Sequence, residues 1–216
     1  MIFSETERNA VYKAIHGRRD VRSEFLPEPI PEKVLSRILD AAHHAPSVGF
    51  MQPWDFIVVR DPEVKQRIKE GFSTAHQEAA ALFEGEKREI YRTLKLEGIT
   101  EAPLGICITC DPSRHGPVVI GRTANPEMDL YSSVCAVQNL WLAARAENLG
   151  VGWVSIIHHE ALRSALGIPR QIVPIAYLCV GYVSQFHEKP ELEKIGWLPR
   201  VAIDSVIHQD RWRAAE

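Results

Sequence analysis

The 216-residue sequence lacks the features that mark exported, membrane-spanning and nucleic-acid-binding proteins. No apolar run approaches the ~20 residues that a transmembrane helix needs. The first ten residues, MIFSETERNA, have neither the basic nor the apolar region of a signal peptide. The net charge of -3 offers no clustered excess of lysine and arginine of the kind that nucleic-acid binding requires. These absences predict a cytoplasmic protein that binds neither a membrane nor a nucleic acid.

Cysteine is scarce, and the four cysteines are scattered along the chain. Cys107 and Cys110 form a C-x-x-C, but they lie in LGICITC, which has the pattern of a strand. Residues three apart on a strand point to opposite faces, so neither a redox pair nor a zinc knuckle is expected there. The two His-His pairs, at 43–44 and 158–159, are adjacent rather than four residues apart. Adjacent histidines lack the spacing of a metal pair, and the sequence predicts no metal site.

The common nucleotide and hydrolase motifs are also missing. The sequence contains no G-x-x-x-x-G-K-[ST] phosphate loop. Residues 150–155, GVGWVS, begin like a dinucleotide-binding G-x-G, but the third glycine is absent. The stretch also runs from a predicted helix into a predicted strand, which is the reverse of the dinucleotide-binding order. Ser155 is not part of a G-x-S-x-G elbow, so nothing favours a serine hydrolase.

What is present indicates a single globular domain over residues 1–216. Hydrophobic residues make up 45% of the chain, which is enough for a sizeable core without metal or disulfide. Spacing and capping signals predict helices over 5–17, from Pro31 to before Pro46, over 62–70, within 74–97, over 128–148 and over 160–166. Buried-strand patterns predict strands over 56–59, 104–109, 151–157 and 175–183. The helix over 128–148 is apolar nearly all round, which indicates burial in the core or at a subunit interface.

The densest charge cluster is Arg18-Arg19-Asp20-Val21-Arg22, here called the arginine segment, which follows Gly17 at the end of the first predicted helix. A guanidinium is always charged, and its planar fork of donors matches the oxygens of a phosphate two at a time. The same arginines would also complement the negative end of the helix. Charge alone leaves both interpretations open.

Three stretches, taken in order, give the sequence a family resemblance. RRDVR follows the first predicted helix, APSVGFMQPW follows the second, and the long apolar helix leads into GVGW. Together they resemble the nitroreductase superfamily of FMN proteins over nearly the whole chain. The resemblance implies an α+β fold, in which a central mixed, mainly antiparallel sheet is flanked by helices. It also implies a homodimer with flavin bound between the subunits, and a tail over about 185–216 that extends over the partner subunit.

The resemblance also assigns site residues. In that superfamily the arginines after the first helix hold the phosphate and ribityl chain of FMN. The segment before Q-P-W lies along the flavin from the partner subunit, and the G-x-G-W loop borders the ring. The flavin-contacting residues implied for this chain are Arg18, Arg19, Asp20, Val21, Arg22, Ser47, Met51, Gln52, Gly152, Ser155 and, from the tail, Arg200.

Several stretches look closer to one branch of the superfamily, the flavin destructases. These are RRDVR with FLPEPIP following, APSVGFMQPW, PEMDLYS and GVGWVSI, with Phe50 where the superfamily usually carries Asn. In that branch reduced FMN (FMNH2) is the substrate as well as the bound flavin. It reacts with O2 and is fragmented to 5,6-dimethylbenzimidazole, the lower ligand of vitamin B12, and erythrose 4-phosphate. The residues implicated in the fragmentation correspond here to Asp20 and Ser155.

The residue types are compatible with that chemistry. Water must be kept from the reacting flavin, and a lid within residues 74–101 would close the pocket and leave no room for a nicotinamide. A separate flavin reductase would then supply FMNH2. Asp20, beside three arginines, is expected to be ionised and to accept protons during bond cleavage. Ser155 is expected to hydrogen-bond the flavin or O2.

Two other functions remain open at this stage. One is an NAD(P)H-dependent nitroreductase or flavin reductase of the same fold, which would oxidise nicotinamide. The other is a non-catalytic flavin-binding protein, in which the arginines only retain the ligand. Structural roles also remain open for the two implicated residues, a salt bridge that orients the arginines for Asp20 and a tight strand contact for Ser155.

Overall fold

A computed structural model of the protein describes residues 2–212. In this part of the chain four strands are Trp54–Val59 (β1), Leu104–Cys110 (β2), Leu149–Val154 (β3) and Val173–Tyr182 (β4). The α-helices of the same part are Glu5–Gly17 (α1), Glu32–His43 (α2), Pro62–Ala81 (α3), Gly85–Thr93 (α4), Met128–Ala146 (α5), His159–Leu166 (α6) and Glu191–Lys194 (α7). Short 3-10 helices span Val48–Phe50 and Ile203–Val206. Among residues 2–212 no helix is both long enough and apolar enough to cross a membrane.

The start of the first helix follows its sequence signal. Ser4 is the N-cap of α1, and its hydroxyl accepts the backbone N–H of Glu7, whose carboxylate in turn accepts the backbone N–H of Ser4. This reciprocal capping box confirms the predicted start, and α1 ends at Gly17 as expected. At α2 the prediction was one residue early, because Pro31 is the N-cap and Glu32 is the first helical residue.

The predicted short helix over 62–70 was wrong. Asp61 caps a single 20-residue helix, α3, that continues through Gly71 to Ala81. Gly71 lies inside this helix, at a point where α3 packs closely against α6. A Cβ added there would lie 2.7 Å from the Cβ of Ala161 in α6. Helix was also predicted within 74–97. Beyond the end of α3, the helix in that range is α4, which begins at Gly85.

The four strands form one antiparallel sheet in the order β1-β2-β4-β3. Parallel pairing is confined, within residues 2–212, to a single bridge between Asp20 and Val151. Helices flank the sheet, so the predicted α+β fold with a mainly antiparallel central sheet is confirmed. The third strand lies earlier than predicted, because it ends at Val154 and the chain then turns toward α6.

The sheet separates two hydrophobic clusters. Ile106 of β2 packs on one side with Ile38 of α2 and Leu140 of α5. Its neighbour Cys107 packs on the other side with Ile68 of α3 and residues of α6. The alternation of side chains along a strand explains the division, and β2 is buried throughout because both of its faces are covered.

The two cysteines of the C-x-x-C are buried free thiols. Burial raises the pKa of Cys107 to about 12 and that of Cys110 to about 11. Both side chains therefore stay protonated at neutral pH, and a thiolate is what metal binding and redox exchange require.

The chain divides into two compact units, residues 1–186 and residues 187–216. The first contains the sheet and α1 to α6. The second contains α7 and the 3-10 helix at Ile203–Val206, with exposed apolar side chains that include Leu198, Val201 and Ile203. The extension of this tail over a partner subunit stays a prediction.

Candidate functional site

The arginine segment lies against β3, the strand that contains GVGW. The backbone N–H of Val21 donates to the carbonyl of Val151 at 3.0 Å, and Asp20 forms a parallel bridge with the same residue. Two motifs that stand about 130 residues apart in the sequence are therefore neighbours in the fold. This contact is the structural centre of the candidate site.

Gly152 makes the close approach of these two segments feasible. A Cβ added to Gly152 would lie 2.0 Å from the carbonyl oxygen of Val21, which is a backbone atom and cannot swing aside. The glycine is needed here for space, since its φ is not in the left-handed region. The second glycine of GVGW thus serves to bring the arginine segment onto the strand.

Asp20 is held by two donors. Its Oδ1 accepts the backbone N–H of Trp153 at 2.9 Å, and its Oδ2 accepts a guanidinium N–H of Arg22 at 2.6 Å. Burial raises the pKa of Asp20, and the opposing effects of Arg22, the Trp153 N–H and Arg18 do not cancel it. Arg22 and Arg18 do favour the ionised form, as expected, but the net shift of the pKa is upward. The desolvation of the carboxylate outweighs the neighbouring positive charge.

The other two arginines are fixed by α1 and α5. The Arg18 guanidinium lies 4.7 Å from the ring centroid of Trp141, a cation–π contact. Arg19 donates from Nη1 to the carbonyls of His16 at 2.8 Å and Arg18 at 2.6 Å. Arg19 thus satisfies carbonyls at the end of α1, which is the helix-end role that charge alone had left open.

Two residues of α5 anchor the backbone around the arginine segment. The indole N–H of Trp141 donates to the carbonyl of Arg19 at 3.3 Å, and Arg145 Nε donates to the carbonyl of Gly17 at 3.2 Å. Sequence reasoning missed both anchors, because Trp141 counted only as an apolar position of a buried helix. The backbone N–H of Trp153 was missed for a different reason, since side-chain patterns say nothing of which main-chain groups a carboxylate will meet.

Ser155 follows β3 directly and is exposed. It stands two residues beyond Trp153, the residue that binds Asp20. The chain that continues from it lies beside α3, since His158 Nε2 is 2.6 Å from Glu78 Oε2. A Cβ at Gly71 would likewise contact Ile157. The predicted lid, residues 74–101, therefore starts within α3, which lies beside the end of β3.

The segment over residues 47–52 has an unusual backbone. Gly49, Phe50 and Gln52 have φ values of 51°, 54° and 48°, which lie in the left-handed region that bulky residues rarely adopt. Phe50 is also 81% exposed. The turn is closed by the Ser47 hydroxyl, which accepts the backbone N–H of Gln52 at 3.0 Å. Met51 is fully buried, so within the protomer it presents no surface to a flavin, and its predicted contact stays a prediction.

The two halves of the predicted flavin site lie at opposite corners of the sheet. The 47–52 segment leads into β1 at one edge, and β3 forms the other edge, about 14 Å from β1 across three strand spacings. The arginine segment lies beyond β3. They are also offset along the strands, because Trp54 aligns through β2 with Val173 of β4, whereas Gly152 aligns with Cys179. Residues 173 and 179 of one strand are about 20 Å apart. A single protomer therefore does not bring the two halves together.

Arg200 belongs to the second unit, residues 187–216, where its side chain is exposed. Its predicted contact with the flavin phosphate stays a prediction.

Comparison with known proteins decides the family. Residues 15–182 match the model of the nitroreductase family. The chain belongs to the nitroreductase family. Its sequence is 40% identical to a 5,6-dimethylbenzimidazole synthase of Rhodospirillum rubrum, over 92% of this chain and 94% of that protein. It is 38% identical to a 5,6-dimethylbenzimidazole synthase of Rhodobacter capsulatus, over 91% of this chain and 95% of that one.

A solved structure supports the fold of this nitroreductase-family chain. The crystal structure of oxidised iodotyrosine deiodinase, bound to FMN and 3-iodo-L-tyrosine, superposes with a TM-score of 0.73. It is 21% identical in sequence, and the match covers 94% of this chain and 100% of that chain. At this level of identity the likeness shows the fold alone.

The charges of the arginine segment suit the phosphate of a flavin mononucleotide. Three guanidiniums and one carboxylate within the arginine segment leave a net positive charge that suits a phosphate. Gly152 itself is buried, with its main chain packed against the carbonyl of Val21. The carboxylate of Asp20 lies between these features, bonded to a backbone N–H of β3 and to an arginine.

Proposed function

We propose that the protein fragments reduced FMN with O2 to 5,6-dimethylbenzimidazole and erythrose 4-phosphate. The observation that carries the proposal is the carboxylate of Asp20, bonded to Arg22 and to the Trp153 N–H beside three arginines. This constellation occurs in a chain that is 40% identical to a 5,6-dimethylbenzimidazole synthase over 92% of its length. An enzyme of this kind is an oxidoreductase that incorporates O2.

The arginine segment would bind the phosphate and ribityl chain, and Trp141 would keep the Arg18 guanidinium in place by stacking. Arg22 would hold Asp20 in a single orientation through its 2.6 Å bond. Bound FMNH2 supplies the electrons for O2 and the ring that is broken. The protein's part is to orient that ring, to exclude water from it and to accept protons from it.

Asp20 is the proposed proton acceptor. Burial raises the pKa of Asp20 toward neutral pH. Its carboxylate is therefore a stronger base than that of an exposed aspartate. Its side chain keeps 31% of its exposure, so a ligand on the arginine segment has access to it. Ser155, exposed just beyond β3, is the proposed hydrogen-bond partner of the flavin or of O2.

A homodimer would complete the site. The arginine segment and the 47–52 segment stand at opposite edges of the sheet in one protomer. A two-fold related copy can present its 47–52 segment to the flavin held by the first protomer. Exposed apolar side chains on the two helices near these segments, Tyr12 and Ile15 of α1 and Tyr131 and Val134 of α5, support burial against a second copy.

The proposal is tested by giving the purified protein FMNH2, produced by a separate flavin reductase, in air and by analysing the products by mass spectrometry. Formation of 5,6-dimethylbenzimidazole by the wild type, and its loss in Asp20→Asn and Ser155→Ala, is the expected result. If the flavin is recovered as intact FMN, the proposal fails. Membership of the nitroreductase family supports one alternative, an NAD(P)H-dependent reductase. Oxidation of NAD(P)H by the FMN-loaded protein without formation of the benzimidazole would identify it.

A further inference from the structure

The loop over residues 111–125 carries two arginines that the proposed chemistry does not use. Arg122 closes this loop on itself. Its Nη2 donates to the carbonyls of Gly116 and Pro117, each at 2.9 Å, and its Nη1 donates to the carbonyl of Pro112. Its Nη1 also lies 3.8 Å from Met51 Sδ. The loop is therefore a fixed platform beside the 47–52 segment.

Arg114 reaches from this platform to the chain that leads out of the 47–52 segment. Its Nη1 donates to the carbonyls of Gln52 at 2.7 Å and Trp54 at 2.9 Å. Its Nη2 donates to both carboxylate oxygens of Asp55, at 2.8 Å and 2.7 Å. One planar guanidinium thus donates hydrogen bonds to three closely spaced residues. A lysine ammonium group lacks this fixed donor geometry.

The group that Arg114 holds is under backbone strain. Gln52 has a φ of 48°, and Phe50, two residues earlier, has a φ of 54°. Strained residues persist only where their surroundings over-determine them. The Ser47 hydroxyl holds Gln52 from the N–H side, and Arg114 holds it from the carbonyl side.

We propose that Arg114 is a positioning residue for the flavin site. By bonding the Gln52 carbonyl it keeps residues 47–52 in the conformation that contacts the flavin of the partner subunit, without touching the flavin itself. The inference rests on the proposed function, because it takes that segment to be a flavin contact. Asp55 fixes the rotation of the guanidinium and shares in the effect.

Arg163 provides a matched control. Its guanidinium also donates to two backbone carbonyls, those of Pro169 and Ile172, and to a carboxylate, that of Glu160. These contacts hold the turn after α6, and none of them is made to the arginine segment or to residues 47–52. Arg163→Ala therefore removes a similar set of bonds without addressing the 47–52 segment.

The test compares Arg114→Ala with Arg163→Ala by anaerobic titration calorimetry with FMNH2, by thermal unfolding and by the visible circular dichroism of bound FMN. We expect Arg114→Ala to weaken FMNH2 binding at least tenfold and to alter the dichroism, and millimolar guanidinium to restore both. Arg163→Ala should stay within twofold of the wild type at a comparable loss of Tm. Arg114→Lys, which keeps the charge, serves if the alanine variant does not fold, and it should also bind FMNH2 at least several-fold more weakly.

Wild-type affinity and dichroism in the Arg114 variants would overturn the inference, and so would losses in both alanine variants that simply follow Tm. The outcome is separable from the proposed function. A wild type that binds FMNH2 but forms no 5,6-dimethylbenzimidazole would end the proposed function, whereas the binding comparison would still decide the role of Arg114. A wild type that does not bind FMNH2 would overturn both.

Discussion

The backbone N–H of Trp153 donates to the carboxylate of Asp20 at 2.9 Å, and this bond joins the arginine segment to β3. The acid has a raised pKa, and the guanidiniums of Arg22 and Arg18 act on it. A carboxylate in this position is poised both to orient an arginine and to take up a proton. Substitution of Asp20 separates these two roles.

Asp20→Asn is expected to abolish formation of 5,6-dimethylbenzimidazole while the protein stays folded. The amide oxygen can still accept the Trp153 N–H, but the amide is not a base at neutral pH. FMNH2 binding should change less than tenfold, since the arginines remain. Product analysis together with anaerobic titration calorimetry checks this. A variant that retains a tenth or more of wild-type product formation would show that Asp20 only orients Arg22.

The same substitution predicts a pH dependence of stability. The pKa of Asp20 is raised on folding, so the native state binds more protons than the unfolded state above the unfolded value of 3.8. The contribution of Asp20 to stability is therefore fully present below that pH and is lost as pH rises through the folded pKa. Asn is neutral throughout. In thermal unfolding, the Tm of Asp20→Asn relative to that of the wild type should rise as pH rises from about 4 to 7. The opposite trend would show that the salt bridge outweighs burial.

Gly152→Ala is expected to lower the free energy of unfolding by about 3 kcal/mol and to abolish activity, because the new Cβ meets the Val21 carbonyl at 2.0 Å. Gly17→Ala is the matched control. Its Cβ would contact only Arg145, at 3.7 Å, and should cost less than about 0.5 kcal/mol. Urea denaturation of both variants checks the difference, and equal stabilities would mean that the arginine segment does not lie on β3 as described.

Phe50→Asn is expected to stabilise the protein and to reduce its activity. Phe50 is 81% exposed at a φ of 54°, and a left-handed conformation costs a bulky residue about 1–2 kcal/mol, which Asn largely avoids. Little burial is lost in exchange. Phe50→Leu keeps the strain and should show no gain in stability. Denaturation and product assays on the two variants test this, and a destabilised Asn variant would show that the ring is part of the protomer's own packing.

Mixed dimers test whether the site is shared between subunits. Asp20→Asn damages the half of the site on the arginine segment, and Ser47→Ala removes the hydroxyl that closes the other half. In a heterodimer of the two variants one site carries both defects and the other carries none. Refolding an equal mixture should recover about a quarter of wild-type sites, because half of the dimers are mixed. No recovery over the separate variants would place both halves in one protomer.

The sequence was sufficient for the elements whose signals are local. The capping box at Ser4, the buried pattern of β2 and the motifs RRDVR and GVGW all lie where their residues predict. The full length of α3 was not predicted, because the packing of Gly71 against α6 is not visible in the sequence. Local patterns do not report such long-range contacts.

The types of residue at the site were predictable from the sequence, but their contacts, pKa shifts and backbone conformations were not. The contact between Asp20 and Trp153 joins distant parts of the chain, and no spacing rule connects them. The sign of the Asp20 pKa shift depends on burial, whereas the sequence displays only the neighbouring charges. The left-handed Phe50 and Gln52 were equally hidden, since neither residue type favours that conformation.

Asp20 is proposed to help break down FMNH2 on this protein. The most direct measurement is a single turnover in air, in which equimolar FMNH2 is mixed with wild type or Asp20→Asn and the benzimidazole formed per flavin consumed is counted by mass spectrometry. We expect a ratio close to one for the wild type and close to zero for the variant, whose flavin should return as FMN. Intact FMN from the wild type, or equal benzimidazole from both proteins, would contradict the account.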